Sequence, residues 1–192
     1  MNLKMDLLKK INLRELFFSI VFSFPFAIIF VFSNISSKDY GVFLLFLITF
    51  SLAVNFIIRI SKKIGSGLTF FLAYSVLTFS SHEIGIVGWK KILTFFIAGL
   101  ILEGFVFLFN KNRKLSYFLS TVVSITVLPL IAASFTSWHL TITFPKELLG
   151  MVLIAFIISL VVSLMVIVIW HFLRVNKQII KLKTHLGNLN GN

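Results

Sequence analysis

Glu103 is the one acid of the sequence with nothing but apolar residues around it, in Ala98-Gly99-Leu100-Ile101-Leu102-Glu103-Gly104. The apolar run that holds it, 92–109, is long enough to cross a bilayer's hydrocarbon core at about 1.5 Å per helical residue. An ionised, unpaired carboxyl at that depth costs on the order of 2–3 kcal/mol, so Glu103 is expected to be paired, protonated or functional. A second apolar run carries Asn55 and Arg59 four residues apart, which puts both on one helix face. The expected arrangement is an intramembrane ion pair of Glu103 with Arg59, or failing that with Arg174, acting as an internal clamp. A proton relay is the sharper alternative, but one isolated carboxyl is a poor basis for it.

A second set of chemistry-bearing residues falls in segments between the apolar runs: Asp39 and Tyr40; His82, Glu83 and Trp89; Trp138, His139, Lys146 and Glu147. Aromatic faces, both signs of charge and two imidazoles at one end of a bundle suit a small polar or heterocyclic solute. The competing explanation is that Trp and Tyr anchor the membrane interface and the charges are solvated. His82, Glu83, His139 and Asp39 lack metal-ligand spacing, so no metal is expected. Hydrolase, metalloprotease, P-loop and Asp-rich transferase signatures are missing, and the six acids are scattered singly. There is no cysteine to serve as nucleophile or thiolate ligand. The expectation is a non-enzyme without a cofactor.

The elements that position these residues follow from composition. Of 192 residues, 58% are hydrophobic and 12% charged, and the mean hydropathy is +1.04. Soluble domains carry about 45–50% apolar and 25% charged residues, so the chain is read as an all-α polytopic membrane protein. Six helices are expected, at 16–32, 42–60, 64–80, 92–109, 115–135 and 148–173, with Pro129 kinking the fifth. Residues 1–15 form a basic amphipathic segment, 16–173 the transmembrane domain and 174–192 a basic tail. The first apolar run is longer than a signal-peptide core and no Ala-x-Ala-like site follows it, so it is expected to be retained.

Charge tests this plan. With both termini cytoplasmic, the inner segments hold Lys4, Lys9, Lys10 and Arg14; Arg59, Lys62 and Lys63; Lys111, Arg113 and Lys114; Arg174, Lys177, Lys181 and Lys183. That is 14 of the 18 cations, and only Lys38, Lys90, Lys91 and Lys146 fall outside. The net charge of +12 is therefore topological and lipid-facing, and no nucleic acid is needed to explain it. In the first helix Ser19, Ser23 and Ala27 repeat every four residues, a small-residue face suited to close approach of another helix. That helix lies either within the protein or on a partner.

Lys62-Lys63-Ile64-Gly65 opening the third helix, Gly85-Ile86-Val87-Gly88-Trp89 before the fourth, Ala98-Gly99-Leu100-Ile101-Leu102-Glu103 within it and a short basic loop ending at Lys114 form an ordered series. Over about 62–138 this series resembles the substrate-binding (S) components of energy-coupling-factor transporters, especially an uncharacterised branch of that family. The resemblance implies a solute-capture subunit for a vitamin or micronutrient in the cell membrane, working with a transmembrane coupling protein and two ATPase subunits. It also implies that the small-residue face at Ser19, Ser23 and Ala27 docks the coupling protein, with Ser where the family's motif begins with Ala. Solute binding would fall to Trp89, Trp138 and His139, with His82 and Glu83 behind them. The rival expectation is a non-catalytic structural or assembly subunit of a larger membrane complex.

Overall fold

The structure, a computed structural model, describes residues 13–32, 40–61, 64–81, 86–109, 112–136 and 146–175. All regular structure among them is helical: α1 (Leu13–Phe32), α2 (Tyr40–Ser61), α3 (Ser66–Leu77), α4 (Trp89–Leu108), α5 (Arg113–Thr136) and α6 (Lys146–Val175). Each of the six expected helices is present, with ends within three residues of expectation. The first begins at Leu13, inside the stretch assigned to a separate surface segment; residues 1–12 and 176–192 lie outside the described residues. Pro25 and Pro129 both sit inside continuous helices.

Four helices contain segments long and apolar enough to cross a membrane: Gly41–Ser61, Trp89–Leu108, Arg113–Phe135 and Leu148–Phe172. The apolar parts of the other two, Phe17–Val31 and Ser66–Leu77, are shorter. At 30 residues, α6 rises about 45 Å against a core of about 30 Å, so it tilts or projects.

Helix α2 is the most deeply buried of the four long helices and forms the axis of the bundle. The others wrap it in the order α1, α3, α4, α5, α6, each neighbour touching the next. Helix α2 itself touches α1, α3, α5 and α6, and its Phe46 and Phe50 rings reach Phe95 of α4.

The core is built from phenylalanine. Phe22, Phe26 and Phe30 of α1, Phe46 and Phe50 of α2, Phe70, Phe71 and Tyr74 of α3 and Phe95 of α4 form one connected cluster. Its tightest pairs, Phe50 with Phe71 and with Tyr74, have ring centroids 4.9 Å apart. Lipid is as apolar as these rings, so the hydrophobic effect does little to hold helices together here. Shape and edge-to-face geometry do the work instead, at about 0.5–1.5 kcal/mol per aromatic pair.

Close approach of α3 and α4 depends on two glycines. A Cβ at Gly99 would lie 3.2 Å from Leu68 Cα, and a Cβ at Gly67 would lie 2.3 Å from Leu102 Cδ2. Gly104, on the same helix as Gly99, has nothing within 4 Å of such a Cβ. Gly99→Ala is therefore expected to destabilise the purified protein by about 1–3 kcal/mol through overpacking. Gly104→Ala should be neutral or stabilising by up to about 1 kcal/mol. Thermal unfolding of both variants in detergent checks the contrast; equal effects would mean that α3 and α4 are not packed this closely.

Candidate functional site

Twelve residues make α3 about 18 Å long, too short for both ends to reach water across a core of about 30 Å. A helix end leaves four N–H or four C=O groups without intrahelical partners, and lipid offers them nothing. The neighbouring helix α4 supplies partners at both ends. Glu103 Oε1 accepts from the N–H groups of Gly67 at 2.9 Å and Leu68 at 3.2 Å, in the first turn of α3. At the other end Lys91, fully buried, donates from Nζ to the Thr78 carbonyl, to the Ser81 carbonyl at 3.1 Å and to Ser81 Oγ at 3.0 Å. The two charged residues are 12 positions apart, about 18 Å along α4, which matches the length of α3. The signs match too: an acid at the N-terminus and a base at the C-terminus of α3 oppose its macrodipole.

The clamp expected between Glu103 and Arg59 is not formed. Glu103 Oε1 is held by α3, and Glu103 Oε2, Arg59 Nε and Arg59 Nη2 have no hydrogen-bond partner. The reason is topological: α2 and α4 are not backbone neighbours. Arg59 instead lies over the ring of Tyr117 from α5, 6.0 Å from its centroid. The other expected partner, Arg174, has no described side chain.

The interior of the bundle also holds a polar line. Ser51, Asn55 and Arg59 stand at successive turns of α2, all buried. Asn55 Nδ2 donates to the Ser51 carbonyl and to Ser163 Oγ of α6, both at 3.0 Å. Ser159 on α6 and Ser120, Thr121 and Ser124 on α5 are buried as well, and buried Ser116 of α5 donates to the Val106 carbonyl of α4. Ser51 Oγ, Asn55 Oδ1 and the two Arg59 nitrogens find no partner, so α2 carries four of the five such buried atoms among the described residues.

Of the residues expected to meet a solute, Trp89 is 75% exposed at the start of α4, its ring edge-on to Phe79 at 6.1 Å. His82, Glu83, Trp138 and His139 lie outside the described residues. Among the described residues no cluster of three potential metal ligands occurs. A groove of about 370 Å³ runs along one face of α6, lined by Val161, Leu164, Met165, Val168 and Ile169. It is wholly apolar and offers a polar solute no hydrogen bond.

The small-residue face of α1 also differs from the docking assignment. Ser19 and Ser23 are fully buried and Ala27 is 3% exposed, on the side that packs against this chain's own helices. Small side chains there let α1 approach α3 closely, and the face is not open to a partner. The residue missed entirely is Lys91, taken with Lys90 as an outer-loop cation. The sequence offers no direct signal for it: the third helix is expected at 64–80, and the 12-residue separation of Lys91 from Glu103 matches α3 only at its observed span, Ser66–Leu77.

Comparison of the chain with protein-family models, with curated proteins and with solved structures finds no match.

Glu103→Gln keeps an oxygen for the Gly67 and Leu68 N–H groups and loses only the charge, an expected cost of about 0.3–1 kcal/mol. Glu103→Leu strands both donors and should cost about 1–3 kcal/mol per unsatisfied group, and Lys91→Met should behave alike at the other end. Thermal unfolding in detergent ranks the three. Gln as damaging as Leu would mean that the carboxylate is held by something other than α3.

Proposed function

We propose that this chain is a membrane-embedded, non-catalytic solute-binding subunit of an ATP-driven importer of the energy-coupling-factor type. It crosses the cell membrane six times with both termini cytoplasmic. Capture of a small polar solute is assigned to the end where His82, Glu83, Trp89, Trp138 and His139 fall in the sequence. Its partners are a transmembrane coupling protein and two ATPase subunits.

The observation that carries this reading is the buried line Ser51, Asn55, Arg59, bonded to Ser163 through Asn55 and left with four polar atoms without a partner. Unfilled donors and acceptors inside a membrane protein cost stability, and a scaffold gains by replacing them with apolar residues of similar volume. Their retention fits a protein that handles polar groups within the membrane. The second reading, a structural or assembly subunit, is favoured by the burial of Ser19, Ser23 and Ala27 within the chain. An importer subunit then needs another surface for the coupling protein, and the exposed opposite face of α1 (Phe17, Val21, Phe24, Ile28) is the candidate.

A gentle detergent pull-down from native membranes, read by mass spectrometry, separates the two. Recovery of a multi-helix protein with two P-loop ATPases is the expected result; stable membrane subunits without ATPases would replace the importer with the assembly role. Topology is tested separately, because the chain has no cysteine to interfere. Lys62→Cys and Asn112→Cys should react with a membrane-impermeant maleimide only after permeabilisation, and Ser37→Cys in intact cells. Labelling of Asn112→Cys from outside would remove α3 as a crossing.

A further inference from the structure

The basic end of the bundle carries a charged group that neither the α3 caps nor the importer reading uses. Arg59 closes α2 and is 5% exposed. Its Nε and Nη2 are buried and have no acceptor. They form the side edge of the guanidinium, the edge that takes two oxygens of one carboxylate or phosphate in a fork. The surroundings are short of negative charge. Arg59, Arg113 and Glu103 all act electrostatically on the Tyr117 phenol. Arg113 lies one turn before Tyr117 at the start of α5, where it is exposed. Glu103 is the only acid of this set, and its Oε1 is committed to α3. The positive end of α5 adds to the imbalance, and Lys62, Lys63 and Lys114 follow close by in the sequence.

We propose that Arg59, with Tyr117 and Arg113, binds a phosphate group between α2 and α5 at the basic end of the bundle. The phosphate takes the Nε–Nη2 edge of Arg59 and supplies the negative charge that the site lacks. Both nitrogens are buried as they stand, so binding requires the long Arg59 side chain to swing its head toward the rim, where Arg113 is exposed. The phosphate belongs either to an anionic lipid headgroup, which basic clefts between membrane helices commonly hold, or to a soluble phosphate compound. The site does not rest on the importer reading, since a bound phosphate serves a transporter and a scaffold equally.

The test uses the full chain purified in uncharged detergent and stripped of lipid. Thermal unfolding is followed during titration with inorganic phosphate, with phosphatidylglycerol in mixed micelles and with phosphatidylcholine, at matched ionic strength. A saturable rise in Tm with phosphatidylglycerol but not inorganic phosphate assigns a lipid headgroup; the converse assigns a soluble phosphate compound. Phosphatidylcholine should do neither. In Arg59→Gln the apparent affinity should fall at least about tenfold, as expected for loss of a bidentate charged contact. Lys90→Gln, an exposed lysine at the other end of α4, should leave it unchanged. If Arg59→Gln does not fold, Arg59→Lys keeps the charge and loses the fork, and binding should still weaken. No saturable response in the parent protein, or an undiminished one in the folded Arg59 variants, overturns the site.

Discussion

A helix too short for the bilayer is the constraint on which the rest of this structure depends. At about 18 Å, α3 cannot bring both its ends to water across a core of about 30 Å, and an unfilled backbone group in lipid costs several kcal/mol. Helix α4 resolves this with two side chains of opposite sign, Glu103 on the Gly67 and Leu68 N–H groups and Lys91 on the Thr78 and Ser81 carbonyls. Each charge is itself expensive in lipid, and each is accommodated because the helix terminus it meets carries the opposite partial charge. The arrangement fixes the register of α4 against α3, since a slip of one turn would displace both contacts together. Gly67 and Gly99 then become necessary, because the side chains can reach the helix ends only if the two backbones lie close.

With α3 held in place, the aromatic core has a defined shape to fill. Phe70, Phe71 and Tyr74 project from it into the space enclosed by α1, α2 and α4. The rings of Phe46, Phe50 and Phe95 close over them in tilted and edge-to-face pairs. In water such a cluster would form by expulsion of solvent; in lipid it holds by complementarity and dispersion, which demand close packing. The small residues of α1 serve the same end, bringing Phe22, Phe26 and Phe30 onto the cluster.

The opposite half of the bundle is organised differently. Where α2 meets α5 and α6, the Asn55–Ser163 hydrogen bond and the Arg59 guanidinium over Tyr117 stand beside ring contacts such as Phe56 with Trp170. The protein thus has one side built on aromatic pairs and one side that holds four of the five buried polar atoms without a partner among the described residues. Rigid and adaptable regions of a membrane bundle divide along such a line, because unfilled hydrogen-bonding capacity lets more than one arrangement compete. The charges follow the same division: Lys91 and Glu103 are consumed in holding the fold, while Arg59 is left with capacity for another group.

Much of this was legible in one dimension. Six apolar helices, their ends to within three residues and the importance of Glu103 follow from hydropathy runs, loop charges and an acid placed among apolar residues, all of which are local. So does the small-residue face of α1, though not what covers it. The partner of Glu103 is a different matter, because it depends on which helices are neighbours, and hydropathy says nothing of packing order. Only the tertiary arrangement, with α4 beside α3 and away from the backbone of α2, makes the acid a helix cap instead of half an ion pair. Lys91 was misjudged for a related reason: a lysine at the start of an apolar run reads as solvated unless a buried carbonyl terminus is known to lie opposite. Composition and spacing determine what each segment is; which unsatisfied group meets which charge is decided by packing in three dimensions.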